Sequence, residues 1–445
     1  MKARKNVLLT IMATAVGSAM LLHAPAANAL GLLEAYQAAL QNDPQYRSAF
    51  YANESGKENR ILGRSNLLPN VSASYNFSQN RTTLSAGSRS APEDYNSRDA
   101  NLQVRQTLIN MDGLARYRQG VAQSKYAEAQ FASQQQEVIV RVVSAYLDVL
   151  YKQDLLALSQ VQRDMFVEQR KVNDHMFEKG EGTRTDMLET QARLDQAEAQ
   201  VLTSQDELVT SMDTLSGIVG REVDHIDPLV EDFKIRPSDG ATFEEWKKIA
   251  LDRNPDIEAL RHSVEVAHQE VNKQRAGHAP RLDLIGVYGK NSSQTINVVG
   301  EDQKVRSIGV QLNVPIYSGG AVNAASRQAV AGEEKAKADL DTQIDKTLVD
   351  LRKEYKSLQS GVARIDALVK SVKSAELLIK ATEQSIKGGV RINLDALNAK
   401  EQMYTSKRDL AQARYNYLLS SLRLRAAAGT LSSDDVREMA PYFTK

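Results

Sequence analysis

An α-helix tolerates proline in its interior least of all residues, at a cost of about 3 kcal/mol. This chain has ten prolines, yet none falls between Pro92 and Pro228 or between Pro315 and Pro441. Each proline-free tract is broken mainly by one glycine-bearing turn, Lys179-Gly180-Glu181-Gly182 in the first and Lys387-Gly388-Gly389 in the second. Glycine accepts the left-handed conformation that ends a helix, so each tract predicts a helical hairpin. Taken from Leu114 to Phe177, the first helix would be about 95 Å long at 1.5 Å per residue. A helix of that length is stable only beside neighbours. The apolar residues agree. Val138, Val142, Tyr146, Val149, Leu150 and Leu156 recur at helical steps, and so do Leu348, Leu351, Tyr355, Leu358, Val362 and Ile365. One apolar seam per helix, with the other faces polar, is a coiled-coil pattern. A single tryptophan, Trp246, and a preponderance of Ala, Gln, Leu, Lys, Arg, Glu and Asp fit long helices better than a globular core.

The two halves resemble each other at an offset of about 210 residues. Ala39-Leu40 and Asn42-Asp43-Pro44 mirror Ala250-Leu251 and Arg253-Asn254-Pro255. Pro69 mirrors Pro280, Gly113 mirrors Gly320, Asp186 and Leu188 mirror Asp395 and Leu397, and Gly220 mirrors Gly429. Steady spacing of this kind predicts a tandem duplication. The first repeat spans 30–227, a linker 228–242, and the second repeat 243–445.

Residues 1–29 form a secretory signal peptide: basic Lys2, Arg4 and Lys5, an apolar run from Val7 to Leu22, then Ala27-Asn28-Ala29 as the cleavage site. The segment holds three basic and no acidic residues, so cleavage takes the net charge from +0 to −3. Neither value suggests a nucleic-acid partner. Beyond it, no stretch approaches the roughly 20 apolar residues of a spanning helix. The chain has no cysteine, so burial and assembly must hold an exported protein together without disulfides.

Each half carries two segments of period-two alternation. Val71, Ala73, Tyr75 and Phe77 alternate with serines and Asn76; Leu102, Val104 and Leu108 alternate with Gln103, Arg105 and Thr107. Leu282, Leu284 and Tyr288 share a face that Ile285 and Val287 blur, and Ile308, Val310, Leu312, Val314 and Ile316 alternate with Ser307, Gly309, Gln311 and Asn313. Such stretches mark outer-membrane barrel strands, although a half-buried soluble sheet alternates in the same way. The polar links 79–97 and 289–304 have loop compositions. A membrane sheet must close on itself, and outer-membrane barrels begin at about eight strands. Four strands cannot close, so several copies must pool theirs and enclose an aqueous tunnel with their helices. Spacing alone leaves dimer, trimer and tetramer open.

Several stretches resemble TolC-type outer-membrane factors: Leu33-Glu34-Ala35 with Asn42-Asp43-Pro44, Pro315-Ile316-Tyr317-Ser318-Gly319-Gly320, and Ala413-Arg414-Tyr415-Asn416-Tyr417-Leu418. The resemblance covers nearly the whole mature chain. It implies an α+β membrane protein, a TolC-like homotrimer with a shared 12-stranded β-barrel in outer-membrane lipid and a coiled-coil tunnel across the periplasm. It implies a periplasmic membrane-fusion adaptor and an inner-membrane ABC transporter as partners. The overall look is closest to type I secretion members that pass a secreted protein cargo, a protease or related toxin; multidrug efflux is the alternative within the family. The resemblance also implies a periplasmic gate at the hairpin tips. Arg391 ties to Asp186, Asp395 forms an inward acidic ring, and Asn398 stands where the family has a second acid, which weakens cation binding there. Ile386 replaces a tyrosine of the tip network. Residue chemistry alone gives Asp186 and Asp395 a second reading, as helix caps after a glycine turn.

No cysteine nucleophile, H-E-x-x-H, Walker A loop or G-x-S-x-G elbow is present. His262, Glu265 and His268 share a predicted helix face, which reads as solvated surface rather than a metal site. Asn70-Val71-Ser72 fits a glycosylation pattern inside a predicted strand, where such matches are frequently spurious. The sequence therefore predicts no enzyme and no cofactor. A soluble periplasmic coiled-coil adaptor remains the reading from another class.

Overall fold

The computed structural model describes residues 29–443 apart from 88, 231–232, 234–240 and 296–297. The expected signal peptide, Ala29 excepted, and most of the expected linker lie outside the described residues.

The same order of elements is traversed twice. Helix α1 (Leu32–Asn42) leads into α2 (Pro44–Lys57) and α3 (Asn59–Ser65), strands β1 (Asn70–Ala86) and β2 (Arg89–Ile109), the long helix α4 (Met111–Glu178) and its return α5 (Arg184–Val219). The second passage is α6 (Phe243–Arg253), α7 (Pro255–Arg275), β3 (Arg281–Thr295), β4 (Val298–Asn313), α8 (Ala321–Lys387), α9 (Asn393–Ala427) and a short α10 (Ser433–Met439). The proline-free tracts are α4–α5 and α8–α9. With 68 residues, α4 is about 100 Å long.

The α1–α2 and α6–α7 corners are built alike. Asp43 and Asn254 cap the helices that begin with Pro44 and Pro255, where the missing N–H of proline is no loss. Each corner rests on a left-handed glycine at the end of a returning helix. A Cβ on Gly220 (φ +76°) would stand 2.4 Å from the Asn42 Cβ, and one on Gly429 (φ +74°) would stand 2.3 Å from the Arg253 carbonyl oxygen. Only glycine satisfies both the backbone conformation and that approach.

The main core lies midway along the helices, where these corners, α10 and the chain ends wrap α4, α5, α8 and α9. Val138, Val142, Val143, Tyr146 and Val149 of α4 meet Leu215 and Val219 of α5, Leu351 of α8 and Leu418, Leu422 and Leu424 of α9. The buried Tyr146 hydroxyl lies 3.0 Å from the carbonyl oxygens of both Leu30 and Asp227, and its ring meets Phe443 edge-on. Burial pushes its pKa well above the ordinary tyrosine range, so it remains a hydrogen-bond donor at any physiological pH. It ties the start and end of the described chain to α4. A smaller cluster, Phe166, Leu194, Ala197 and Leu397, lies toward the hairpin tips.

The two strand-to-helix junctions differ. Only Asn110 separates β2 from α4, and its side chain accepts a hydrogen bond from the Gly113 N–H at 3.1 Å. Residues 314–320 separate β4 from α8 and end in two left-handed glycines, Gly319 and Gly320. Gly113 and Gly320 match in sequence position, but Gly113 is already inside a helix and Gly320 caps one.

Candidate functional site

The four strands form one antiparallel sheet in the order β1-β2-β3-β4, so β2 and β3 join the two halves. The strands run 17, 21, 15 and 16 residues, longer than the alternating segments. This corrects the expectation that 79–97 and 289–304 are loops. Pairing continues through Gln79↔Asn96, Arg81↔Asp94 and Thr83↔Pro92 to Ala86↔Arg89, and the second hairpin pairs as far as Thr295↔Val298. A membrane-spanning strand needs only about 9–11 residues. Beyond that length backbone pairing can continue in water with no apolar face to maintain, so the side chains turn polar while the ribbon persists.

Register places the apolar residues in common rows. Val71, Val104, Gly286 and Ile308 stand opposite one another across the sheet, and so do Ala73, Leu102, Tyr288 and Arg306. Gln106, Leu284 and Val310 form the row below. Directly opposed residues share a face, so one face of the sheet is an apolar band. Its members are solvent-exposed in the single chain: Tyr75 at 66%, Ile308 at 81% and Ile316, just past β4, at 93%. The opposite face carries Gln103, Arg105, Ser307 and Gln311, together with Ile285 and Val287, which explains the blurred alternation in β3. Strands β1 and β4 each have one neighbour, leaving two open edges.

The hairpin tips form the opposite end. At the first turn Thr183 caps α5 and forms a capping box with Asp186: the Asp186 N–H donates to Thr183 Oγ1 at 3.1 Å, and the Thr183 N–H donates to Asp186 Oδ2 at 3.2 Å. The Thr183 hydroxyl adds a 2.5 Å bond to the same carboxylate. Asp186 is thus committed to the helix end, where its charge also complements the helix dipole. The second turn lacks such a box. Ile392 stands at the cap of α9 with no side-chain bond, and Asp395 sits half-buried in the first turn. Arg391 and Asn398 are exposed, and within one chain no ion pair joins Arg391 to Asp186 among the described residues. Ile386 is half-buried in the last turn of α8.

Behind the tips lies a polar cluster that periodicity did not reveal. Asn173 Nδ2 of α4 donates to Thr190 Oγ1 of α5 at 2.7 Å, and Asn393 Nδ2 of α9 donates to the same oxygen at 3.1 Å. The Thr190 hydroxyl donates to the Asp186 carbonyl at 2.8 Å. Gln169 Nε2 donates to Asn393 Oδ1 at 2.8 Å, and Lys400 Nζ donates to Gln169 Oε1 at 3.0 Å. Thr190, Asn173, Asn393 and Lys400 are all buried. Burial holds the Lys400 ammonium below the usual lysine range, with the Glu383 carboxylate acting against that shift. The cluster fastens the second hairpin to the first inside one chain. Its only sequence signal is a run of polar residues on a helix face, the same signal that solvated surface gives.

The histidines on α7 do not converge: His262 lies 3.8 Å from Glu258, and His268 lies 3.4 Å from Glu333 of α8. No group of three or more metal-binding side chains occurs, and no helix is long and apolar enough to cross a membrane, among the described residues.

A family profile described as outer membrane efflux protein matches residues 35–221 and again 246–430. The chain belongs to that family. It is 40% identical over 433 residues to the alkaline protease secretion protein AprF of Pseudomonas aeruginosa, spanning 96% of this chain and 90% of that one. It is 34% identical over 447 residues to the proteases secretion protein PrtF of Dickeya chrysanthemi, spanning 99% and 95%. Among solved structures, the outer membrane channel CmeC of Campylobacter jejuni superposes with a TM-score of 0.79 at 18% identity, covering 93% of this chain and 90% of that one. The TolC-like architecture expected from the sequence holds, with four strands per chain for a shared barrel. This outer membrane efflux family member is an outer-membrane protein of channel fold. Membership sets aside the soluble-adaptor reading.

Proposed function

We propose that three copies of this efflux-family chain close a twelve-stranded barrel in the outer membrane, their helices continuing it as a periplasmic tunnel. The tunnel is the passive exit duct of a type I secretion system. An inner-membrane ABC transporter and a periplasmic adaptor deliver the cargo, a secreted protease or related protein. The repeats 30–227 and 243–445 contribute equivalent hairpins to the ring. The observation that carries the reading is the sheet itself: an apolar band exposed on one face and an open edge on either side. In lipid an open edge strands backbone N–H and C=O groups at several kcal/mol each, so neighbouring copies must pair with it. The names of the relatives AprF and PrtF support protease secretion over drug efflux.

The tips are the gate. Arg391 of one hairpin reaches the Asp186 end of the other across the chain boundary, and three copies of Asp395 form a ring in the lumen, with Asn398 one turn away leaving that ring single. Like charges in a narrow bore attract cations, and a few exposed ion pairs worth about 0–1 kcal/mol each let the gate open readily. The test is planar-bilayer recording of the purified oligomer, together with export of a protease in cells lacking the chain. A conducting, heat-labile oligomer that restores export supports the duct. A stable water-soluble monomer overturns it, and restored drug resistance without restored export moves the cargo to small molecules.

A further inference from the structure

On its lipid-facing side the barrel sheet carries a group of cations whose register is unusual. The row above Leu102, Tyr288 and Arg306 is Tyr75, Ala100, Lys290 and Lys304, and the next is Phe77, Arg98, Ser292 and Asp302. Arg98, Lys290, Lys304 and Arg306 therefore share the face of the apolar band, on the side of the sheet away from the helices. All four are exposed, and none has an ion-pair partner among the described residues. The position steps outward from β4 to β3 to β2. The four thus fall in three adjacent rows of the sheet. Lys290 and Lys304 stand directly opposite each other, an arrangement of like charges that destabilises a strand pair unless an anion relieves it. Two of the cations lie against aromatic rings: Arg98 is 5.7 Å from the Phe77 centroid, and Arg306 is 5.6 Å from that of Tyr288. The rings hold the guanidiniums at the upper rim of the apolar band. Asp302 is the one acid in these rows, one position outside Lys304, and the exposed Arg81–Asp94 pair farther out is neutral in sum.

We propose that this rim is a binding site for a phosphorylated glycolipid of the outer leaflet, the phosphate lying between Lys290 and Lys304 and flanked by Arg98 and Arg306, the acyl chains against Tyr75, Leu102 and Tyr288. The proposal rests on the barrel reading, because only a membrane-inserted sheet brings these side chains to headgroup level. Cations at a lipid surface attract anionic headgroups, and guanidinium adds fork-shaped recognition of phosphate oxygens. The lumen face cannot serve, since its Arg105 faces water and the channel.

The test uses the purified full-length oligomer in detergent, titrated with bisphosphorylated lipid A, with its dephosphorylated counterpart and with inorganic phosphate. Bound lipid is read by native mass spectrometry and oligomer dissociation by heating on a gel. Bisphosphorylated lipid A should bind and raise the dissociation temperature, while the other two should do neither. The double substitution Lys290→Gln with Lys304→Gln should weaken binding roughly thirtyfold, and Arg105→Gln, which removes one positive charge from the other face, should leave it unaltered. Equal binding of the dephosphorylated lipid, equal protection by phosphate alone, or an equal loss with Arg105→Gln each overturns the proposal. If the unsubstituted chain yields no conducting oligomer, the barrel reading itself fails and takes this site with it.

Discussion

Replacing Thr190 by valine removes one buried oxygen at the meeting point of three helices while leaving the side-chain shape almost unchanged. That oxygen accepts from Asn173 at 2.7 Å and from Asn393 at 3.1 Å, and its proton goes to the Asp186 carbonyl at 2.8 Å. After the change the Asn173 Nδ2 keeps only a long contact of 3.4 Å to the Asp186 carbonyl, and the Asn393 Nδ2 loses its bond to Thr190. One orphaned buried donor and one weakened one cost about 2 kcal/mol, a factor of about 30 in a local opening equilibrium. The loss falls on the bond between α9 and the first hairpin, so the second hairpin should detach more often at its tip. Hydrogen exchange of the backbone amides of 393–400 should speed up by about thirtyfold, with the central core around Tyr146 unchanged. Bilayer conductance should rise in parallel. Protection within about threefold of the unsubstituted protein would show that the cluster does not fasten the tips.

Four further outcomes follow from the geometry. Arg391→Ser and Asp186→Ala should both raise single-channel conductance; because Asp186 also closes the capping box, a change confined to Asp186→Ala would assign the effect to the cap instead of the gate. Asp395→Ala should reduce block by multivalent cations, and equal block in both proteins would remove the ring. Tyr415→Phe deletes the 2.7 Å bond to the Asp154 carboxylate and should cost about 1–3 kcal/mol in chemical denaturation at pH 7. Burial raises the Asp154 pKa above its ordinary value, so Asp154 favours the fold while protonated and that contribution is lost as pH rises through the folded value; the deficit of the variant should therefore shrink toward pH 4, and a deficit independent of pH would contradict this account. Gly429→Ala forces a Cβ to within 2.3 Å of the Arg253 carbonyl at a φ of +74°, and a variant with unchanged thermal stability would refute the corner packing.

Much of this architecture was legible from a few residue types. Proline exclusion bounded α4–α5 and α8–α9 because the penalty is local and large, and glycine marked their turns for the same reason. Alternation found the lipid-level parts of the strands, where lipid on one side and water on the other dictate each residue. It missed the outer parts, where the ribbon is held by backbone bonds and the side chains carry no pattern. The sequence offered Asp186 and Asp395 as the helix caps, but the cap of α5 is Thr183 with Asp186 closing the box from the third helical position, and the cap of α9 is Ile392. The buried cluster of Gln169, Asn173, Thr190, Asn393 and Lys400 was not legible, because its members come from three helices and each looks like an exposed polar residue until the helices are packed. The same holds for the opposed Lys290 and Lys304, whose meeting depends on register. His262 and His268, three-residue neighbours of Glu265 in sequence, turn to different partners because α8 supplies Glu333.

The unequal strand-to-helix junctions have a mechanical consequence. A single capped residue, Asn110, bolts the first hairpin to the barrel, so turning α4 means unwinding a helix start. The second hairpin hangs from a seven-residue elbow, 314–320, whose last two residues are glycines able to rotate at little energetic penalty. In the proposed tube three staves are fixed and three hinged, so on the proposed gating the hinged set is the one expected to swing as the mouth widens.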